Sequence, residues 1–178
     1  MDKVIKTERL ILRPWKLEDV DDVVEGLNNL NVSKWLANVP FPYTEEDAKN
    51  FINKTTDSDS YYFAIVLKEE NKVIGGTLLG SINYVHGTAG GGIWLNENYH
   101  GNGYGREAFG ARIKFAFEEL GLRKLENGYF KGNEKSHKMQ LSLGYKDEGI
   151  RRQKYICQAT GEIKDECITG LLKEDWIQ

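Results

Sequence analysis

Three glycines alternate in the segment Tyr99-His100-Gly101-Asn102-Gly103-Tyr104-Gly105-Arg106-Glu107-Ala108. Glycine admits positive φ and lets a ligand approach the backbone N–H groups closely. The residues that follow read as a helix, so its free N–H groups and the positive end of its dipole face one point. That combination binds an anion, and a phosphate or pyrophosphate matches it best. A turn that only caps a helix would carry the same glycines; the strand before and the helix after favour the anion site. No Gly-Lys-Ser or Gly-Lys-Thr follows, so this is not a Walker loop. Nor is it the dinucleotide fingerprint, because the spacing is Gly-x-Gly-x-Gly with no βαβ unit ending in an acid.

Other reactive side chains form no such pattern. Cys157 and Cys167, with His86, His100 and His137, contain neither Cys-x-x-Cys nor His-x-x-x-His, so no zinc spacing exists. The cysteines flank a hairpin turn near Thr160-Gly161, which places Cys157 opposite about Lys164 and Cys167 opposite about Lys154. A disulfide is not expected, and a reducing, cytoplasmic compartment is the default. Glu97 and Glu148 are isolated acids, and Tyr145 opens a strand, as core tyrosines often do.

The elements that would carry the glycine loop read from periodicity. Residues 8–13 alternate as a strand ended by Pro14, and 17–30 place Val20, Val23, Val24 and Leu27 at helical spacing. Residues 35–43 form an aromatic loop, and Thr44-Glu45-Glu46-Asp47 starts a helix running to about Lys54. Strands follow over 61–67, 73–85 (with bends at Gly75, Gly76 and Gly80) and 91–95. A helix over 102–120 has Phe109, Ile113, Ala116, Phe117 and Leu120 on one face. A strand over 124–130, a helix over 134–143 closed by Gly144, and a hairpin over 145–172 complete the chain. The expectation is an α/β (α+β) chain with one mixed, mostly antiparallel sheet and helices on both faces.

The 178 residues, with 24 Lys plus Arg against 27 Asp plus Glu, suit one domain spanning 1–178 with its own core. The net charge of −3 argues against a nucleic-acid partner. No apolar run reaches the ~18 residues of a membrane span, and the first residues lack a signal-peptide core.

The glycine segment resembles the acyl-CoA loop of the GNAT superfamily of N-acetyltransferases, Gln/Arg-x-x-Gly-x-Gly/Ala, with His100 at the first position. Further matches follow in order. Thr7-Glu8-Arg9-Leu10-Ile11-Leu12-Arg13, Tyr43-Thr44-Glu45-Glu46-Asp47-Ala48, Trp94-Leu95, and Asn133-Glu134-Lys135-Ser136 with Leu143-Gly144-Tyr145 resemble the Rim-type branch, which acetylates ribosomal-protein N-termini. The resemblance implies the GNAT fold and acetyl-CoA as co-substrate, with no metal. It implies that His100, Gly101, Asn102, Gly103, Tyr104, Gly105 and Arg106 hold the pyrophosphate. The backbone of Ile93, Trp94 and Leu95 would bind the pantetheine amides and polarise the thioester carbonyl. Asn133 and Ser136 would lie beside the CoA arm, with Ser136 able to protonate the departing thiolate. Asn133 is also a good helix cap on its own residue type. Trp35, Phe41, Pro42 and Tyr43 would line the acceptor groove, or simply pack down. The acceptor is a primary amine, most consistently an α-amino group. A polyamine or aminoglycoside acceptor, and a non-catalytic acyl-CoA-binding module, are the alternatives. Homo-oligomer formation stays open.

Overall fold

A computed structural model describes residues 3–56 and 59–178. Leu10 and Leu12 are fully buried on one face of strand β2 (Leu10–Arg13), as their alternation predicts. A two-residue strand, β1 (Ile5–Lys6), pairs ahead of it and has no pattern of its own in the sequence. Strands β3 (Tyr61–Leu67), β4 (Lys72–Asn83), β5 (Thr88–Leu95), β6 (Lys124–Phe130), β7 (Lys146–Ile156) and β8 (Ile163–Leu172) complete one sheet in the order β1-β2-β3-β4-β5-β6-β8-β7. Every neighbouring pair is antiparallel except β5 and β6.

Helices α1 (Val20–Leu27), α2 (Leu30–Ser33), α3 (Glu45–Thr56), α4 (Tyr104–Lys114) and α5 (Glu134–Ser142) cover the two faces. Alternation along β3 divides the core. Phe63, Ile65 and Leu67 join Phe109, Ile113 and Phe117 on one side, while Ala64 and Val66 join Val20, Val23, Leu27 and Ile52 on the other. The architecture is the mixed, mostly antiparallel sheet expected, with helices on both faces. Among the described residues no helix is long and apolar enough to cross a membrane.

Several boundaries differ from the periodicity, each for a local reason. The helix expected over 17–30 is a 3-10 turn (Leu17–Asp19), then α1, then α2. Asn28 interrupts it with ψ 48°, and its side-chain oxygen accepts from the Tyr43 N–H at 3.0 Å. Asn29 then caps α2 by accepting from Asn31 N–H. α4 starts at Tyr104 because Gly101 and Gly103 hold φ of 80° and 79°, outside helical space. It widens into a π-type turn over Phe115–Glu119. The cysteine register also shifts. Irregular pairing between Arg151 and Tyr155, with Gln153 at φ 52°, places Cys167 opposite Ile150, and Cys157 N–H donates to Glu162 O. The expected partners Lys164 and Lys154 assumed unbroken pairing about Thr160-Gly161, whereas the ladder next to the turn, Ile156 with Ile163, is centred one residue earlier.

Trp94 shows how the two faces meet. Its indole stacks on Trp15 (6.3 Å between centroids, 7° between planes) and lies against Gly26 and Gly76. A Cβ at Gly26 would sit 2.6 Å from Trp94 Cζ3. Glycine to alanine inside a helix normally gains about 1 kcal/mol. Overpacking a tight contact costs about 1–3 kcal/mol. Gly26→Ala is therefore expected to be net destabilising in urea unfolding, with the same denaturant slope as wild type.

Candidate active site

β5 and β6 pair at only two positions, Thr88 with Lys124 and Ala89 with Leu125, and then diverge. Beyond that point each strand has lost its partner on the inner side. The carbonyl of Gly92 accepts from the Thr77 hydroxyl at 2.8 Å and from Arg112 Nη1 at 3.5 Å. Thr77 belongs to β4, so this carbonyl faces β4 and the helix face. A trans peptide holds C=O and N–H in opposite directions. The N–H of Ile93 is therefore turned into the gap between β5 and β6.

A cleft of about 1160 Å³ runs through this gap. Ile93, Trp94, Leu95, His100, Gly101, Gly103, Gly105, Arg106, Asn133 and Ser136 all line it. Trp35, Val32 and Leu36, from the segment around α2, line it as well. Two other acceptor candidates lie elsewhere. Tyr43 is buried in the core of the α1 and α3 face, where burial pushes its phenol up to about 12. Phe41 is exposed but is not part of the cleft wall. The aromatic loop thus divides between a packed half and an open half, an ambiguity its composition does not resolve.

The glycine loop is held from outside. His100 Nε2 bonds to Leu95 O at 3.0 Å, tying the loop to the end of β5. Gly103 stands at the N-cap of α4 with no capping side chain, so the first-turn N–H groups have no cap. Gly101, Gly103 and Gly105 line the cleft, as do Arg106 on α4 and Lys135 and Lys138 on α5. An uncapped helix N-terminus in a cleft that also holds three cations fits a pyrophosphate. Asn102 and Tyr104 are not in the wall. Asn102 O accepts from Arg9 Nη1 at 2.9 Å, and the Arg9 guanidinium lies 4.5 Å from the Tyr104 ring. Arg9 also pairs with Glu107 at 2.7 Å. Arg9 escaped the sequence reading as a loop residue because it lies about a hundred positions upstream, in the first strand motif.

The remaining candidates are placed by their partners. Asn133 Oδ1 caps α5 by accepting from Ser136 N–H at 3.3 Å. Tyr145 is buried in the core and does not reach the cleft. His137 stacks on Tyr129 and contacts Asp147 at 3.0 Å. Glu148 pairs with Lys124 at 2.8 Å. Glu97 lines the cleft, and amide donors from Asn29 and then Asn31 hold its carboxyl below the usual range, which makes it a poor base. Glu166, which the sequence did not single out, lies over Gly128 of the cleft wall and pairs with Arg151 at 3.1 Å. Among the described residues no cluster of three or more His, Cys, Asp or Glu side chains is arranged to hold a metal.

Comparison with known proteins agrees with this geometry. The acetyltransferase (GNAT) domain model matches residues 9–146. The uncharacterized N-acetyltransferase YnaD of Bacillus subtilis is 30% identical over 173 residues, covering 97% of this chain and 98% of that protein. The uncharacterized N-acetyltransferase p20 of Bacillus licheniformis is 30% identical over 178 residues, covering 98% of both. A crystal structure of a GNAT-family acetyltransferase from Bacillus anthracis superposes with a TM-score of 0.84 at 28% identity, covering 97% of this chain and 99% of that one. The chain belongs to the GNAT acetyltransferase family.

Two predictions follow from the loop. At φ 79°, Gly103 holds a backbone shape that a β-branched residue resists. Gly103→Val is expected to weaken acetyl-CoA binding at least ~10-fold, about 1.4 kcal/mol, by calorimetry on folded protein. The second concerns Glu107. Burial works against its ionisation, but bonds from the Thr7 hydroxyl, the Arg9 N–H and the Arg9 side chain outweigh this and lower its carboxyl. A lowered folded value means the stabilisation is complete above the unfolded value near ~4.3 and is lost as pH falls through the folded one. Unfolding free energy should therefore drop between about pH 5 and pH 3, and Glu107→Gln should flatten that slope.

Proposed function

We propose that this chain transfers acetyl from acetyl-CoA to a primary amine by direct attack within a ternary complex, with an α-amino group of a peptide or protein as acceptor. The observation that carries the reading is the Ile93 N–H turned into the gap, between the uncapped start of α4 and the Trp35 wall. Solved neighbours of the same fold were crystallised with acetyl-CoA and AMP (a microcin C7 immunity acetyltransferase) and with CoA and spermine (a Vibrio cholerae spermidine N-acetyltransferase).

Acetyl-CoA supplies the activated acetyl thioester. The uncapped N–H groups of α4, with Arg106, Lys135 and Lys138 nearby, hold the pyrophosphate. The Ile93 N–H donates to the carbonyl oxygen as negative charge gathers there. Ser136 stands across the gap to meet the sulfur. The amine enters past Trp35, Val32 and Leu36.

Acceptor chemistry follows from charge. An α-amine has a reference pKa near ~7.8, so about a tenth is neutral at pH 7, against one part in a few thousand for a lysine amine near ~10.4. Glu97, with its lowered carboxyl, gives little help in taking a proton. An acceptor that is already partly neutral suits such a cleft. With Arg106, Lys135 and Lys138 taken up by the pyrophosphate, Lys34 and the carboxylates Glu97 and Glu134 are the charges left along the cleft, so charge alone does not turn a polyamine away. A Bacillus subtilis relative, 26% identical over 176 residues, carries a ribosomal N-acetyltransferase name, YdaF, which agrees with an α-amine.

A panel of N-terminal peptides, spermidine and an aminoglycoside, followed by thiol release, tests the acceptor. Peptides are expected to give the highest kcat/KM; a polyamine preference overturns that choice. Cys157 is buried with its thiol facing the carbonyls of Lys34 and Leu36, where a serine hydroxyl can also donate. Changing both Cys157 and Cys167 to Ser should leave turnover near wild type, with intersecting initial-rate lines. Parallel lines or a trapped acetyl-cysteine would contradict direct attack.

A further inference from the structure

Gln140 lies on α5 one turn after Ser136, and Thr169 lies opposite it on β8. Both are completely buried. The Thr169 hydroxyl donates to Gln140 Oε1, and Gln140 Nε2 donates to Ser136 Oγ at 2.9 Å. Burying an amide on the inner face of a helix is costly unless both its ends are bonded. Here both ends are bonded, and one leads to the cleft.

The direction of these bonds matters. A hydroxyl has one proton and two lone pairs. If the amide were turned round, Ser136 would give its proton to Gln140, and Thr169 would give its own to Asn127 O at 3.4 Å. Distance decides against this. The Thr169–Gln140 contact of 2.5 Å falls in the O–H···O range and below the N–H···O range, and 2.9 Å is the usual N–H···O length. Gln140 therefore fills a lone pair of Ser136 and leaves its proton unused by any hydrogen bond among the described residues. Ser136 lines the cleft, so that proton is free to point there.

We infer that Thr169 and Gln140 are positioning residues that fix the Ser136 hydroxyl as a donor toward the sulfur of the acyl donor. The inference rests on the reading of Ser136 given above. In the step it serves, the amine nitrogen bonds to the acyl carbon and the C–S bond breaks with its electron pair going to sulfur. Sulfur takes the Ser136 proton. The proton lost by the amine returns to Ser136 through solvent, so charge and protons balance.

The test compares Gln140→Met, Ser136→Ala and the double variant by steady-state kinetics, with acetyl-CoA affinity and thermal unfolding as controls. Ser136→Ala is expected to lower kcat up to about 10-fold, because a thiol near a reference pKa of ~8.5 leaves fairly easily. Gln140→Met should lower kcat by a similar factor with little change in the KM for acetyl-CoA, and should add nothing in the double variant. Gln140→Glu provides the readout that a packing role would not move. A neutral carboxyl can accept from Thr169 and donate to Ser136, but a carboxylate only accepts and would draw the Ser136 proton inward. Its kcat relative to wild type should therefore fall as pH rises. If Gln140→Met fails to fold, Thr169→Val, which releases the amide, is expected to give a smaller loss in the same direction. A loss for Ser136→Ala with wild-type kcat for Gln140→Met and Thr169→Val, or losses that multiply in the double variant, would overturn the positioning role. Wild-type kcat for Ser136→Ala would overturn the reading of Ser136 itself.

Discussion

Two residue pairs of parallel ladder join β5 to β6, and the two strands then part inside an eight-stranded sheet. Backbone groups in a sheet interior are costly to leave unpaired. The gap is therefore a built demand for hydrogen-bond partners, and under the proposed function the pantetheine arm, an extended amide-bearing chain, would meet it as a strand does. The rest of the structure holds that gap open. Trp94 locks one side of β5 against Trp15, Gly26 and Gly76. Arg112 grips it from the other helix face. Its guanidinium is almost wholly buried, donates to the carbonyls of Leu78 and Gly92, and lies 3.9 Å from the Phe109 ring centroid. Burial pushes its pKa down, and no carboxylate forms an ion pair with it among the described residues. A buried cation costs several kcal/mol without such contacts. Here the carbonyls and the ring provide them for Nη1 and the guanidinium face, while Nε is buried without a hydrogen-bond partner among the described residues.

Long-range ties secure the segments that line the cleft. Arg9 bonds Asn102 O and Glu107, so the first strand braces the loop before α4. The Cys157 thiol and the Gln158 N–H reach the carbonyls of residues around α2. The tip of the last hairpin thus fastens the segment that carries Trp35. The first tie spans 93 positions and the second more than 120.

Local signals carried much of this into the sequence. Strands such as Tyr61–Leu67 and Lys124–Phe130 are legible from residue type alone, and the positive φ of Gly101 and Gly103 is what glycine at those places implies. The Asn133 cap is legible for the same reason. What was not legible depends on tertiary pairing. Arg9 meets Glu107 across 98 positions, and Thr169 meets Gln140 across 29. Gln140 reads as an ordinary polar helix residue until β8 is placed against it. The irregular pairing at Gln153, which carries no glycine to announce it, displaced the partner of Cys167. Tyr43 and Trp35 have the same aromatic character, and only tertiary packing distinguishes the one buried in the core from the one lining the cleft.

The central claim is that the Ile93 N–H is a free donor aimed at the acyl carbonyl. Amide hydrogen exchange and the 15N–1H resonance of Ile93, followed as acetyl-CoA is added without acceptor, test it directly. The account predicts fast exchange at Ile93 in the free protein, then marked protection and a downfield proton shift on binding, together with shifts at Gly105 and Arg106. An Ile93 amide already protected in the free protein, or one left unchanged while Gly105 and Arg106 respond, would contradict it.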